Sequence, residues 1–473
     1  MSASTARSGN VSRRKPLATC VAALFALSSP MVMAANTWTV NSCSDANSGS
    51  GFTGTLRYAA ANALSGDTID MTSIGCSTIS LGAGDVVFNQ NNIYLNGPGA
   101  GSLLISGKYD GSHRIFTHNG TGKFGLHDLT LAAGYVNVAN GAARGGCVYS
   151  QGVAALYHVN VYSCTAHSQT GGRAAGGAVY GKAGVAFAYG ILSGNSAVSG
   201  SYNGAYGGAI YSRADATLKY STVSGNTAGP RGFGGGLFVY ASADVIFSTI
   251  SGNTAGDNGG GLYTYNFFNS GSISTTINNS TVSGNHANYY TGGVSTNAHD
   301  VYLYNSSIVF NTAAKGRFGA AYPFTYRAPG FATKDGQGPM NVRLYSMLMA
   351  DNTYGSTEYD LSVPTRASTS VTFSGSHNLV RATFAAVPGD TIKISCPLLG
   401  SLRNNGGPTQ THALLSKSPG INQGLNKKSF VTDQRGVGFA RASPTGMPDI
   451  GAYEVQQGDI VFDANFEGCP VLF

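Results

Sequence analysis

The sequence predicts an all-β fold, a parallel β-helix, and three observations carry that expectation. The first is an Asn-x-Ala landmark at Asn195/Ala197, Asn226/Ala228, Asn253/Ala255, Asn285/Ala287 and Asn311/Ala313, with steps of 31, 27, 32 and 26 residues. The second is Gly-Gly-x-aliphatic-aromatic, starting at Gly145, Gly176, Gly207, Gly234 and Gly259, with steps of 31, 31, 27 and 25. Two landmarks with matching periods mark a repeat architecture. The third is the content of one repeat. Between Ser221 and Tyr263 the chain holds short strand-like runs separated by Gly and Asn turns, without a helical period. A unit of that size cannot bury its own apolar row, so it stacks on its neighbours at roughly 4.8 Å.

Within a repeat, Leu218 aligns with Val245 and Tyr220 with Phe247, which reads as period-two alternation. Val223 and Ile250 break that phase, as expected where the chain bends between two strands. Ser-Gly-Asn supplies the next turn, because Gly and Asn tolerate positive φ. Stacked repeats place equivalent residues in columns. Asn195, Asn226, Asn253, Asn285 and Asn311 are thus expected to form an amide ladder.

Only 10% of the 473 residues are charged and 67 are Gly, a composition that fits a secreted β-solenoid and not a helical enzyme. Residues 1–34 read as a secretory signal peptide. Arg13-Arg14-Lys15 precedes the apolar run Leu17 to Leu27, which is too short to span a membrane, and Val32-Met33-Ala34 offers a cleavage site. Export is therefore expected, to the extracellular space or the outer cell surface, with no transmembrane segment once the signal is removed. Without Arg7, Arg13, Arg14 and Lys15, 24 basic residues face 21 acidic ones, and no basic run with interleaved aromatics suggests nucleic acid.

Export places Cys43, Cys76, Cys147, Cys164, Cys396 and Cys469 in an oxidising compartment. Proximity along the chain favours Cys43–Cys76, Cys147–Cys164 and Cys396–Cys469 among the 15 possible pairings. No Cys-x-x-Cys or Cys/His spacing suits a metal, and no motif suits a cofactor.

Residues 36–107 read as an N-terminal cap and first rungs. Thr55 to Leu64 is the best helix in the chain, with Thr55 as N-cap, apolar residues at 56, 59, 60, 63 and 64, and Gly66 as its stop. Such a helix would cover the open end of a solenoid, with Leu64 in the contact. Gly66-Asp67-Thr68-Ile69 is expected to start the first strand. Gly54-Thr55-Leu56-Arg57, Ala61-Asn62-Ala63, Gly66-Asp67-Thr68-Ile69, Leu95-Asn96-Gly97-Pro98-Gly99-Ala100 and Leu104-Ile105-Ser106-Gly107 together resemble the N-terminal module of secreted bacterial "CSLREA" proteins. Tyr58 stands where that family usually has Glu.

Residues 108–395 hold the β-helix repeats, with an irregular insertion at about 316–339. Residues 396–473 close the chain. There Arg403-Asn404-Asn405-Gly406-Gly407-Pro408-Thr409-Gln410-Thr411-His412, Ser418-Pro419-Gly420-Ile421-Asn422, Thr432-Asp433-Gln434-Arg435-Gly436 and Asp449-Ile450-Gly451-Ala452-Tyr453-Glu454 resemble, in order, a "choice-of-anchor Q" module. The two resemblances imply an exported, pectin-lyase-like, right-handed β-helix with no defined enzymatic activity.

Chemistry is sparse along the repeats. A lyase needs clustered acids for Ca²⁺ and a basic residue poised as base. Asp215, Asp244, Asp257 and Asp300 read as solvated turn acids instead. His113 and His118, five apart, point to opposite faces of a strand. Asp433, Arg435, Asp449 and Glu454 read as structural. No catalytic residue is assigned, and fold alone confers no activity.

The expected function is a non-enzymatic secreted or cell-surface protein, a rigid adhesive or glycan-contacting rod. A carbohydrate-active lyase or hydrolase and a structural envelope component stand as alternatives. The contact row is expected at Tyr149, Tyr180, Tyr211, Phe238 and Tyr263. These alternate with the aliphatic row Val148, Val179, Ile210, Leu237 and Leu262, so if one row fills the core the other faces out, as an exposed stripe for sugar rings.

Overall fold

A computed structural model describes residues 35–108, 112–200, 204–266, 272–314, 328–333, 339–363, 370–383, 385–393, 396–441 and 446–459. The expected signal peptide, residues 1–34, and Cys469 lie outside the described residues.

The chain coils as a parallel β-helix. Three sheets of 23, 10 and 13 strands run along it, and nearly every strand pairs in parallel with its counterpart one coil away. One coil shows the plan. Leu237–Val239 lies in the second sheet, Ala243–Ile246 and Thr249–Ser251 occupy two halves of the first, and Thr254–Asn258 lies in the third. Leu262–Thr264 then restarts the second sheet one level on. Leu237, Val245 and Ile250 all enter one apolar core that extends from Trp38 to Val380.

Two corners explain the landmarks. Gly207, which opens a Gly-Gly landmark, has φ 66°, and a Cβ there would sit 1.9 Å from the Ile210 carbonyl oxygen. Only Gly fits. The other corner divides the first sheet and carries a column of non-Gly residues at positive φ, including His158, Tyr189, Tyr220 and Phe247 at 51°, 56°, 48° and 50°. This corrects the period-two reading. Leu218 is in the core, whereas Tyr220 sits outside the strand on a left-handed corner, half-buried.

The N-terminal helix α1 spans Leu56–Asn62, and the Thr55 hydroxyl accepts from the Tyr58 amide. It ends before Gly66, because side chains from elsewhere take over its last polar groups. Gln90 Nε2 donates to the Ala60 and Ala63 carbonyls at 3.0 and 2.7 Å, and Asp67 Oδ2 accepts the Leu64 amide at 2.9 Å. Leu56, Ala59, Ala60 and Ala63 are buried. Leu64, expected in the cap contact, is instead 50% exposed, since the chain turns extended at Ala63 and aims it outward. The first strand is Thr37–Ser42, pairing with Thr68–Asp70.

Cys43–Cys76 and Cys147–Cys164 are disulfides, the second wholly buried in the core. Cys396 is disulfide-bonded as well. Within the expected insertion, Phe331–Thr333 is a regular strand of the second sheet, paired with Val294–Thr296. Residues 315–327 and 334–338 lie outside the described residues.

The C-terminal segment does not extend the coil. It lies along the outer face of one half of the first sheet. Thr249 Oγ1 donates to the Gln410 carbonyl, Thr281 Oγ1 to Gln434 Oε1, and the Ala452 amide to Ser307 Oγ. Leu414, Ile450 and Tyr453 pack on Val309, Leu348, Ala350 and Leu379. Strands under this segment are buried on both faces, whereas Ile191–Ser193 and Thr222–Ser224 in the same row stay partly open.

Candidate functional site

The Gly-Gly-x landmark places the two rows on opposite faces of the second sheet. Val148, Val179, Ile210, Leu237 and Leu262 lie in the central core. Tyr149, Tyr180, Tyr211, Phe238 and Tyr263 are in strict register on the outside, with ring centroids 5.3, 5.1, 5.5 and 5.3 Å apart and nearly parallel from Tyr180 onward.

The row is not an exposed stripe. Tyr180, Tyr211, Phe238 and Tyr263 are 2–7% exposed, flanked by Tyr206 and Phe233 on one side and Tyr240 and Tyr265 on the other. Stacking also consumes the ring faces, so what can face a ligand is hydroxyls and ring edges. A surface for stacking on sugar faces is not what this geometry offers.

What it offers is a cleft of about 250 Å³ above Tyr180 and Tyr211. Its origin is one small residue in a column of large ones. Arg144, Ala175, Tyr206 and Phe233 occupy successive levels of one short ladder, and the missing side chain at Ala175 leaves the gap. Arg144, Arg173 and Arg213 line it with Tyr180, Tyr206, Tyr211 and Tyr240, and no Asp or Glu does. The Arg144 guanidinium carbon is 5.8 Å from the Tyr180 ring centroid, and that of Arg173 is 5.3 Å from the Tyr206 ring. The charge of Arg213 acts on both the Tyr180 and the Tyr211 phenol, against the effect of their burial. Burial pushes the Tyr180 and Tyr211 phenols upward, so both remain neutral hydroxyls at physiological pH. Three cations and several hydroxyls therefore converge, with no carboxylate among the described lining residues.

The sequence reading missed this site. Its arginines fall in different slots of their repeats, so no column of basic residues appears when the copies are aligned. The usable signal was Ala175, the one small residue where neighbouring copies carry Arg144, Tyr206 and Phe233.

A second exposed aromatic feature was also missed. Tyr189, Tyr220 and Phe247 stack on the left-handed corner at 4.9 and 4.7 Å, and Tyr157 and Tyr189 are 40% and 39% exposed. Phe430 of the C-terminal segment closes the row against Phe247.

The amide ladder is buried and continuous. Nδ2 of Asn195, Asn226, Asn253 and Asn285 donates to Oδ1 of the next Asn at 2.8–2.9 Å, and each backbone amide donates to the same oxygen. Asn311 continues to Asn352, and Asn352 to Asp360. At the other end the Cys164 amide donates to Asn195 Oδ1.

Several acids elsewhere are held by local bonds. Asp244 stands beside Thr217, not Asp215; Asp215 accepts the Ser242 amide, and Asp300 pairs with Arg343. Glu358-Tyr359-Asp360 is a Glu-x-Asp pair that the sequence reading passed over. Both carboxyls are taken up by the fold: Glu358 accepts the Asp351 amide and pairs with Arg381, and Asp360 accepts from Asn352 and from the Ala382 amide. Arg435 is fully buried between the Phe439 and Tyr453 rings and paired with Asp433, while Arg441 joins Glu454, Asn279 and the Ala452 carbonyl. His118, buried, bonds Ser150 and the Gln90 carbonyl, and no group of three or more possible metal ligands occurs among the described residues.

Comparison with protein-family models, with curated proteins and with solved structures returned no match.

Proposed function

We propose that the chain is an exported β-helix protein that binds glycan without transforming it. The observation that carries this reading is the cleft over Tyr180 and Tyr211, where guanidinium groups and phenol hydroxyls converge in a space of about 250 Å³, the scale of one or two sugar residues. Sugar hydroxyls need dense, directional donors and acceptors, and this lining supplies them. Buried disulfide Cys147–Cys164 and the signal-like residues 1–34 support export. The resemblance to CSLREA and choice-of-anchor Q modules supports a pectin-lyase-like coil displayed at a cell surface, with residues 396–459 as its closing module.

Glycan-array binding of the purified protein and of Ala175→Tyr tests the reading. Tyr at 175 continues the column of Tyr206 and Phe233 and fills the gap without removing any group that lines it. Binding by the parent and its loss in the folded variant are expected. An array that stays blank for the parent, or a variant that binds unchanged, overturns the reading. Release of unsaturated or reducing sugars on incubation with polysaccharides overturns its non-enzymatic part.

A further inference from the structure

Three guanidinium groups line one cleft, and among its lining residues no carboxylate balances them. Other arginines behave otherwise. Arg114, one level earlier on the same side, is 2.8 Å from Asp85, and Arg343 is 2.8 Å from Asp300. An arginine with a built-in partner is a structural element. Three arginines held near tyrosine rings and sharing one open space are poised for an outside anion.

Two details sharpen the ligand. The tyrosine rings beside the guanidinium groups limit where they can point, which lowers the cost of organising them around a guest. The floor hydroxyls of Tyr180 and Tyr211 carry no charge, so nothing beneath the guest repels an anion. Planar forked donors match the two oxygens of a carboxylate or the oxygens of a sulfate ester.

From this arrangement we infer that the cleft is a subsite for an acidic sugar, whose carboxylate or sulfate is held among Arg144, Arg173 and Arg213 over the Tyr180 and Tyr211 phenols. The inference rests on the glycan reading above and adds the charge of the ligand. Carboxylate and sulfate share the chemistry that the site recognises, and the test separates them.

The experiment is a binding titration with three chains of equal length and one backbone, namely dextran, carboxymethyl-dextran and dextran sulfate. It uses the full protein, the double variant Arg144→Gln/Arg173→Gln, the charge-keeping variant Arg144→Lys/Arg173→Lys, and Ala175→Tyr. At least one charged chain should bind tighter than dextran by about tenfold or more, with the preferred one identifying the anion. The Gln variant should lose about tenfold per guanidinium removed, the Lys variant less, and added salt should weaken binding. Ala175→Tyr should bind none of the three.

Equal binding of dextran and both charged chains, abolished by Ala175→Tyr, overturns the anion inference and leaves glycan binding at the cleft standing. Binding that Ala175→Tyr does not touch, or no binding of any chain, overturns both. A Gln variant that keeps its circular dichroism spectrum and its full affinity for the charged chain overturns the inference alone.

Discussion

Asn352 Nδ2 donates to Asp360 Oδ1 at 2.7 Å, so the buried column of amides ends on a carboxylate. Every Asn of the ladder donates toward the C-terminal end, and Asp360 accepts there. Asp360 takes the Asn352 side-chain and backbone N–H groups on one oxygen and the Ala382 amide on the other.

The interior of the ladder gives the first prediction. Asn253→Ala removes the acceptor of the Asn226 side-chain and backbone N–H groups and the donor to the Val223 carbonyl, all buried. The loss should be about 2–4 kcal/mol in urea unfolding. An unchanged midpoint refutes a structural role for the column.

The ladder's end gives a pH dependence. Burial, reinforced by the charge of Glu358, raises Asp360 from 3.8 to about 7. The folded state then holds the proton more tightly than the unfolded chain. The stability from this group is complete below 3.8 and is lost as pH rises through about 7. Glu454, raised from 4.5 to about 8 by burial and then by Asp449, has the same sign. The melting temperature should therefore fall from about pH 5 to about pH 8, and less steeply in Asp360→Asn, which cannot titrate. A variant with the parent's slope contradicts the assignment.

The helix gives a paired test. Leu56 is 1% exposed and Leu64 50%. Leu56→Ala should cost about 2–5 kcal/mol and open the chain between residues 68 and 106 to protease, whereas Leu64→Ala should stay within about 0.5 kcal/mol of the parent. Equal effects mean that α1 does not seat as described.

The seam of the C-terminal segment depends on Arg441, which reaches Asn279 Oδ1 and the Ala452 carbonyl while pairing with Glu454. Arg441→Met should cost roughly 3–5 kcal/mol, because an acid is left buried without its partner. Limited proteolysis should cut first within residues 396–459, leaving the coils around Val179 to Phe238 intact. Simultaneous loss of both regions argues against a seam.

The coil was legible because its signals are periodic. A column of Asn or of Gly-Gly exposes itself by recurring at one offset, and the alternation of Val179 with Tyr180 sets which row enters the core. What covers the outer row was not legible, since Tyr206 and Phe233 reach it from other strands and Tyr240 from just past the end of Leu237–Val239. Leu64 and Tyr220 misled for a related reason. Each continues a local pattern one step past the point where the backbone turns, at Ala63 and at the left-handed corner. The cleft was hidden most deeply, because it is made by the size of one alanine and by arginines that share no slot.

The C-terminal segment, anchored at Thr249, Thr281, Ser307, Leu348 and Leu379, touches five successive levels at once. A stack of coils held only by nearest neighbours behaves as a zipper, peeling one tooth at a time. A strap across five teeth changes that mechanics. Tension reaching the coil through this segment is divided among five levels and loads them in shear, so they yield together. The levels before Thr249 lack the strap and keep the zipper's freedom to breathe singly. The tyrosine–arginine cleft lies in that part of the rod, beyond the levels that the strap locks together.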